Sequence, residues 1–327
     1  MNISVPANAP RVVVVLSTGF SREWFDEIER TIPGPRYTAV PDKLDAMLEA
    51  MPGAAALIGC PRRLFSAEML AKAGPSLRWI HLGGAGCEEF MIPELVESDI
   101  TLTNGKILQG PPVADHAMAL LLALTRNLHL LLRPNPPQPL PRAIELRDRT
   151  AVVVGVGGIG MLVAERLRSF GMRVIGVDEE YVPITSFLDR TLPPERIHEV
   201  LPAADAVIVA APNTQRSRGM FGAREFALMK PTSIFVLVSR GALVQTNALV
   251  EALRQGRPGS AALDVTDPEP LPADHPLRSM PNAIVTPHVA GLSDQNRARN
   301  FDLVKANMQR FVQGLPLFNV VDKRRGY

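Results

Sequence analysis

The sequence predicts an α/β protein built on parallel sheets, and three observations support this fold class. Short apolar runs rich in β-branched residues, such as Val12–Leu16 and Ala151–Val154, are typical of strands buried on both faces of a parallel sheet. These runs alternate along the chain with segments of helical spacing, which is the pattern of repeated βαβ units. The 327 residues are 46% apolar, which is ample material for more than one core. We therefore expect two domains.

The first hundred residues predict a small parallel sheet with helices on both faces and no nucleotide fingerprint. Its strands are expected at Val12–Leu16, Ala54–Ile58, Leu77–Leu82 and Thr101–Thr103. Its helices are expected at Glu23–Thr31, Lys43–Met51, Ser66–Ala73 and Ile92–Glu97, with Ser66 as an N-cap.

A long apolar helix is predicted at Val113–Arg133, followed by a proline-rich segment at 134–141. The helix is apolar around most of its circumference, which indicates burial either between layers or at a subunit interface. The proline-rich segment cannot be helical and is expected to follow the surface.

A second series of strands and helices begins after this segment. The strands are expected at Ala151–Val154, Val174–Val177, Ala206–Ala210, Ile234–Val238, Ala261–Val265 and Ala283–Thr286. The helices are expected at 162–170 with Gly171 as the stop, and at Pro194–Val200, Phe221–Leu228, Ala242–Gln255 and Arg297–Val312.

A glycine motif, G-V-G-G-I-G at 155–160, lies directly between a predicted strand and a predicted helix. In this context Gly155 allows a tight turn, Gly157 lets the backbone approach a pyrophosphate, and Gly160 lets helix and strand pack closely. The N–H groups at the helix N-terminus then face the phosphates. Asp178, at the end of the next strand, is suited to accept hydrogen bonds from the adenosine ribose. The sequence therefore predicts a dinucleotide site.

The residues around Asp178 also predict which dinucleotide is bound. Glu179 and Glu180 follow it directly, and no arginine stands beside them in the sequence to pair with a 2′-phosphate. Because these acids would repel that phosphate, we expect NAD(H) rather than NADP(H).

Composition argues against several other classes of protein. The net charge of +2 favours neither a nucleic-acid partner nor a membrane surface. The longest apolar stretch, Ala117–Leu124, is too short to span a bilayer, and the N-terminus lacks the basic region of a signal peptide. Cys60 and Cys87 have no metal-ligand spacing, so we expect no metal site and two reduced thiols in a cytoplasmic protein; a disulfide between them is the less favoured alternative.

Three residues that could do chemistry follow predicted strands of the second series: Arg240, Glu269 and His288. Arginine suits bidentate capture of a carboxylate, histidine suits proton transfer near neutral pH, and a carboxylate beside a histidine orients its ring. Each residue alone could equally be a surface charge or a loop residue. Their joint occurrence beside a dinucleotide motif favours a catalytic role.

The chain resembles the D-isomer-specific 2-hydroxyacid dehydrogenase family, in particular its glyoxylate and hydroxypyruvate reductases. The resemblance covers almost the whole chain and rests on the stretches GVGGIG, AAPNTQRSRGMFG, SRGALV, ALDVTDPEPLP, TPHVAG, HLGGAGCEEF and VADHAMALLLALTR. It implies two Rossmann-like or flavodoxin-like domains with a cleft between them. Residues 1–112 with 292–327 would form the substrate domain, and residues 113–291 the dinucleotide-binding domain. It also implies a homodimer.

By resemblance, Arg240 holds the substrate carboxylate, His288 is the general acid/base, and Glu269 is its partner. Ala85 and Gly86 would bind the same carboxylate through their backbone N–H groups. The residue types support this role independently of the resemblance, because a glycine-rich turn at a strand end exposes N–H groups to an anion. The alternative is a simple tight turn. The implied cofactor contacts are Gly155, Gly157, Gly158, Ile159, Gly160, Asp178, Pro212, Val238, Ser239, Asp264, His288 and Gly291, with Asp264 fixing the nicotinamide carboxamide.

The resulting hypothesis is that NADH passes a hydride to the C2 carbonyl of a small 2-oxo acid while His288 supplies a proton. One alternative is a dinucleotide-sensing interaction protein, similar to a co-repressor, with little turnover. Another is a formate-type dehydrogenase, in which relatives replace Glu269 by an amide.

The identity of the acid and the physiological direction stay open, as does the question whether Arg62 or Arg63 binds a second anionic group or merely caps the next helix. The chain departs from common family residues at Leu237, Thr266 and Asp115.

Overall fold

The computed structural model describes residues 9–17, 19–180, 182 and 185–327. The chain divides into two compact units: one contains the residues up to Gln109 together with Ser293–Tyr327, and the other contains Gly110–Leu292. The sequence predicts these divisions at residues 112/113 and 291/292. The first of them falls inside a helix that begins at Gly110, and residues 1–8 of the first predicted domain lie outside the described residues.

The described residues form twelve strands. They are β1 (Arg11–Leu16), β2 (Arg36–Pro41), β3 (Ala54–Ile58), β4 (Trp79–His81), β5 (Thr101–Thr103), β6 (Thr150–Val154), β7 (Arg173–Val177), β8 (Arg190–Leu192), β9 (Ala206–Val209), β10 (Ile234–Leu237), β11 (Ser260–Leu263) and β12 (Ala283–Val285).

Ten α-helices lie among the same residues. They are α1 (Arg22–Thr31), α2 (Leu44–Ala50), α3 (Ala67–Ala73), α4 (Pro93–Val96), α5 (Gly110–Thr125), α6 (Leu128–Leu131), α7 (Gly158–Ser169), α8 (Ala223–Leu228), α9 (Thr246–Arg254) and α10 (Asn296–Val312). The predicted helix at Pro194–Val200 is a 3₁₀ helix at Pro194–Glu199.

The first unit is organised around a parallel sheet of five strands in the order β2-β1-β3-β4-β5. Ser66 caps α3 as expected, because its hydroxyl accepts a hydrogen bond from the Met69 N–H. Strand β2 was absent from the sequence prediction. It lies at the sheet edge with only Val40 buried, so it lacks the apolar run that identifies a buried strand.

The second unit contains a parallel sheet of seven strands in the order β12-β11-β10-β9-β6-β7-β8. Strand β6 pairs with β7 on one side and with β9 on the other, so the strand order reverses there. Open α/β sheets bind ligands at this reversal, beyond the carboxyl ends of the strands. Strand β8 was also missed because it is a short edge strand with an exposed Arg190. The predicted fold class, with parallel sheets in two α/β units, is confirmed.

The long helix predicted at Val113–Arg133 is wrong as a single element. Asn127 adopts a left-handed conformation (φ 57°) and separates α5 from α6, and a left-handed residue ends a right-handed helix. Ten of the sixteen residues of α5 are buried within the one chain. Packing between layers of its own unit therefore accounts for the apolar character of α5, and the homodimer stays a prediction.

Cys60 and Cys87 are both buried, and neither forms a disulfide among the described residues. Burial, aided by the charge of Asp42, raises the pKa of Cys60 to about 12. None of the helices in the described part of the chain has both the length and the apolar character needed to cross a membrane.

Candidate active site

The glycine loop after β6 is packed so closely that two of its glycines cannot be replaced without a clash. Gly155 has a φ of +84°, and a Cβ there would lie 2.4 Å from the backbone nitrogen of Ala211. A Cβ on Gly160 would lie 1.8 Å from the carbonyl oxygen of Gly155. The roles predicted for these residues, a tight turn and a close approach of helix and strand, agree with this packing.

Gly157 differs, because apart from its two chain neighbours no atom of the described residues lies within 4 Å of a Cβ built on it. It is the N-cap of α7, and the first residues of that helix, Gly158, Ile159 and Gly160, have N–H groups without acceptors inside the helix. Open space in front of a helix N-terminus suits a phosphate, which is attracted by those N–H groups and by the helix dipole.

Asp178 ties the glycine loop to the end of β7. Its carboxylate accepts hydrogen bonds from the N–H groups of Val156 (2.6 Å) and Glu180 (2.9 Å). The fold also brings an arginine to the neighbouring acid: Arg216 lies 3.3 Å from Glu179 and 2.9 Å from Glu195. The sequence shows no arginine next to these acids, because Arg216 reaches them only through the fold.

The three predicted catalytic residues follow three neighbouring strands of the larger sheet. Arg240 follows β10, Glu269 follows β11 and His288 follows β12, and these strands lie side by side. The Nδ1 atom of His288 donates to Oε1 of Glu269 at 2.5 Å, and both side chains are about half exposed (51% and 41%). Since Nδ1 is engaged, Nε2 is the ring nitrogen that can exchange a proton with a ligand.

Asp264, at the end of β11, holds the loop that carries His288. Its carboxylate accepts from the Thr286 hydroxyl (2.6 Å) and from the N–H groups of Val289 (3.0 Å) and Ala290 (2.9 Å). Its backbone carbonyl accepts from the His288 N–H at 2.8 Å, and its side chain is only 1% exposed. His288 itself has a φ of +54°, so this left-handed residue is stabilised by contacts on both sides.

His116 extends the same network from α5. Its Nε2 lies 3.1 Å from the Thr286 hydroxyl and 3.4 Å from the Asp264 carboxylate. Because the hydroxyl donates to Asp264, the ring nitrogen is assigned as a donor to Thr286. Burial alone would raise the pKa of Asp264, but hydrogen bonds from His116, Thr286 and two backbone N–H groups outweigh burial and hold the pKa well below its usual range.

Arg240 is half-buried, and its Nη1 donates to the Ser239 carbonyl at 2.8 Å. The next residue, Gly241, has no room for a side chain, since a Cβ would lie 2.0 Å from the Thr266 carbonyl oxygen. The loop that carries Glu269 therefore packs directly on the turn that carries Arg240. Thr266, a departure from the common family residue, donates its hydroxyl proton to the Pro268 carbonyl at 2.9 Å and shapes that loop.

The remaining predicted cofactor residues lie at the same edge of this sheet. Val238 extends the pairing of β10 with β9. Pro212 follows β9, and Gly291 follows the His288 loop. Ser239 is 6% exposed, and its hydroxyl is buried without a hydrogen-bond partner among the described residues. A buried hydroxyl without a partner is costly, so this atom marks a position where a ligand group can bind.

The other predicted substrate residues belong to the first unit. Ala85 and Gly86 lie in a half-exposed turn after β4. Of the two arginines considered for a second anion, Arg63 is ion-paired with Asp42. Arg62 donates to the Phe65 carbonyl at 3.1 Å and lies 3.9 Å from Glu89. The partners of both arginines favour a structural role.

Comparison with known proteins assigns the family. Residues 118–290 match the model of the D-isomer specific 2-hydroxyacid dehydrogenase, NAD binding domain. The chain belongs to the D-isomer-specific 2-hydroxyacid dehydrogenase family. It is thus an oxidoreductase, and its cofactor is a nicotinamide dinucleotide.

Individual relatives agree with this assignment. The chain is 31% identical to a glyoxylate reductase of Aeropyrum pernix, over 78% of this chain and 79% of that protein. It is 31% identical to a D-3-phosphoglycerate dehydrogenase of Methanocaldococcus jannaschii over 85% of this chain, but it spans only 53% of that protein. Among solved structures, it is similar to an NADPH-dependent glyoxylate/hydroxypyruvate reductase of Sinorhizobium meliloti in complex with NADP and sulfate, with 26% identity, a TM-score of 0.79, and coverage of 98% of this chain and 100% of that chain.

Sequence reasoning missed the residues that support the site. His116 was not among the predicted site residues, and the roles of Thr286 and Arg216 had no local signal. A histidine on a mostly apolar helix was the available sign that His116 has a polar partner.

Gly157, the N-cap of α7, and Gly160, inside α7, allow a paired test that separates packing from space for a ligand. Gly160→Ala forces a Cβ onto the Gly155 carbonyl, so we expect the free energy of unfolding to fall by about 3 kcal/mol. The new methyl group of Gly157→Ala meets none of the other described residues, so we expect a loss of at most about 1 kcal/mol from the poorer N-cap, together with weaker NADH binding. Urea unfolding and NADH titration measure the two effects. Equal stability of the two variants would contradict this account of Gly160.

Asp264→Asn tests the Asp264 clamp, by which we mean the hydrogen bonds that the Asp264 carboxylate accepts from Thr286, Val289 and Ala290 in the His288 loop. The amide cannot accept all the hydrogen bonds of the carboxylate, so we expect a loss of about 2 kcal/mol in the free energy of unfolding at neutral pH. Because the folded-state pKa of Asp264 is lowered, its stabilisation is present above the ordinary Asp pKa and is lost as the pH falls towards the folded value. The difference from wild type should therefore narrow below about pH 4. Exposed Asp274→Asn is the control, and a difference that stays constant with pH would refute the clamp.

Proposed function

We propose that this protein reduces the C2 carbonyl of a small 2-oxo acid with NADH, or oxidises the corresponding 2-hydroxy acid. The observation that carries the proposal is the 2.5 Å contact between His288 and Glu269. The pair lies at the carboxyl edge of the dinucleotide-binding sheet, with Glu269 one strand and His288 two strands after Arg240 in chain order. An acid/base beside a bound dinucleotide and an arginine is the set that carbonyl reduction of an acid requires.

The residues at this edge fit a nicotinamide dinucleotide. The open space at Gly157 would take the pyrophosphate, Asp178 would accept from the ribose hydroxyls, and the unsatisfied hydroxyl of Ser239 would meet a polar group near the nicotinamide end. When bound, the cofactor supplies the hydride. A carboxamide contact for Asp264 is also proposed, in addition to its structural clamp.

In the proposed reaction each of three side chains has one task. Arg240 binds the substrate carboxylate through its planar guanidinium and orients the carbonyl. His288 donates a proton from Nε2 to the oxygen that develops negative charge at C2. Glu269, on Nδ1, fixes the ring orientation and stabilises the imidazolium that carries this proton.

The proposal extends to the backbone turn at Ala85 and Gly86, whose N–H groups would bind the same carboxylate. From the family resemblance we also propose a homodimer located in the cytoplasm. Glyoxylate is the first substrate to test, since a relative of similar length is named as a glyoxylate reductase.

The acid/base assignment predicts large losses of activity. His288→Ala and Arg240→Ala should each lower kcat/KM by about 10²–10⁴-fold, because one removes the proton donor and the other the carboxylate anchor. NADH should still bind to both. The measurement is NADH oxidation with a panel of 2-oxo acids that includes glyoxylate, hydroxypyruvate and pyruvate, alongside an NADH binding titration.

A second histidine–glutamate pair in the same unit provides the control. His198 lies 2.7 Å from Glu225 but is not among the predicted site residues, so His198→Ala should keep wild-type kcat/KM. Retained activity in His288→Ala would exclude the proposed mechanism. Tight NADH binding by the wild type with no turnover of any acid would favour the dinucleotide-sensing alternative.

The charges beside Asp178 predict a preference for NADH over NADPH of about tenfold or more in kcat/KM. Glu179 and Glu195 repel a 2′-phosphate, and they also hold the guanidinium of Arg216. In the double variant Glu179→Gln/Glu195→Gln the repulsion is lost and Arg216 is released, so the preference should narrow. Glu199→Gln, which breaks the exposed pair with Arg196, is the matched control. A wild-type preference for NADPH would overturn this assignment.

A further inference from the structure

The turn that follows β4, at Gly83–Gly86, is held by three hydrogen bonds to its carbonyl groups. The Gly83 carbonyl accepts from Nδ2 of Asn300 at 3.4 Å. The Gly84 carbonyl accepts from the N–H of Gly105 at 2.8 Å. The Ala85 carbonyl accepts from Nδ2 of Asn104 at 2.5 Å. All three carbonyls are therefore directed towards the segment after β5 or towards α10.

Because the peptide bond is planar, the direction of each anchored carbonyl also determines the direction of the N–H group that follows it. In a trans peptide the C=O of one residue and the N–H of the next point in opposite directions. The three anchored carbonyls thus turn the N–H groups of Gly84, Ala85 and Gly86 away from the anchors. These N–H groups have no acceptor among the described residues, and successive N–H groups that face the same way form an anion-binding concavity.

Asn104 is the more deeply buried of the two asparagine anchors. It is only 1% exposed, and its Oδ1 accepts from the Lys106 N–H at 3.2 Å, so the NH₂ end of the amide faces Ala85. Its backbone N–H donates to the Asn319 carbonyl at 3.3 Å. The side-chain amide is therefore fixed at both ends, and the peptide between Ala85 and Gly86 is fixed with it.

The histidine beside this turn adds no positive charge. His81 is fully buried and bonds to the Thr103 hydroxyl at 2.8 Å and to Asn300 at 3.4 Å. Burial lowers its pKa to about 4, so the ring is neutral at neutral pH. The attraction of the turn for an anion then depends on the orientation of its N–H groups.

We infer that Asn104 is a positioning residue for the substrate carboxylate. Its side-chain amide holds the Ala85–Gly86 peptide so that the Gly86 N–H is available to an anion. The inference rests on the proposed function, in which this turn grips the carboxylate of a 2-oxo acid. Asn104 acts only through the backbone and does not itself touch the substrate.

The decisive variant is Asn104→Asp, which keeps the shape of the side chain but cannot donate to the Ala85 carbonyl. We expect KM for a 2-oxo acid to rise about tenfold or more, because the Gly86 N–H loses its orientation. The inhibition constant of oxamate, a non-reducible carboxylate, should rise by the same factor. The kcat should stay within about threefold of wild type and the NADH dissociation constant should be unchanged, because the residues for proton transfer and dinucleotide binding are not altered. Asn104→Ala provides the same readouts without a buried acid.

Tyr37→Phe separates positioning from stability. Tyr37 lies on β2, three strands from β4 in the same sheet, and its hydroxyl donates to the Ile32 carbonyl at 3.0 Å. Loss of this hydrogen bond should lower the unfolding temperature but leave KM unchanged.

The possible outcomes distinguish a failure of the inference about Asn104 from a failure of the proposed function. If the wild type reduces 2-oxo acids and both Asn104 variants keep the wild-type KM, the inference is overturned while the proposed function stands. A parallel loss of NADH affinity, or an equal rise of KM in Tyr37→Phe, also overturns it. If the wild type reduces no 2-oxo acid, the proposed function fails and the inference fails with it.

Discussion

The candidate site of the larger unit depends on the hydrogen bonds that the buried carboxylate of Asp264 accepts. A carboxylate that is 1% exposed loses its hydration, and such a loss is unfavourable unless hydrogen bonds replace the water. Here a hydroxyl and two N–H groups of the segment Thr286–Ala290 replace it. Because all these donors come from one short segment, satisfying Asp264 also determines the path of that segment, and with it the position of His288.

In the proposed function the two units would present positive potential to an anion in different ways. The larger unit would offer a side chain, Arg240, and the N-terminus of α7. The smaller unit would offer backbone N–H groups of the turn at 83–86, whose carbonyls accept hydrogen bonds from Asn104, Gly105 and Asn300. A guanidinium keeps its charge in any rotamer, whereas a backbone N–H attracts an anion only in the direction it faces. The buried anchors of the turn are therefore as important to its chemistry as its glycines.

Local sequence signals predicted a large part of this structure. The buried strands, the glycine loop and the capping by Ser66 each depend on residues close together in the chain, and all are present. The edge strands β2 and β8 were missed because an edge strand needs no apolar run. The break at Asn127 was missed because a single left-handed residue leaves the apolar pattern on either side intact.

The supporting residues of the candidate site were harder to predict for a different physical reason. Arg216 meets Glu179 across 37 residues of sequence, and His116 meets Thr286 across 170. Such contacts depend on the order of strands in the sheet, which periodicity does not encode. The sequence identified Arg240, Glu269 and His288 as candidates, but their placement on three adjacent strands follows only from the order β12-β11-β10.

The surrounding backbone determines the short contact between His288 and Glu269, and the contact does not determine the path of the backbone. Both side chains are about half exposed, and exposed ion pairs contribute only about 0–1 kcal/mol to stability. So small an energy cannot hold a loop whose histidine has a positive φ. The loop of Glu269 is instead held against Gly241 by close packing, and the loop of His288 is held by Asp264. The pair is thus positioned by its two loops, and in the proposed reaction its short distance would serve proton transfer without also having to stabilise the fold.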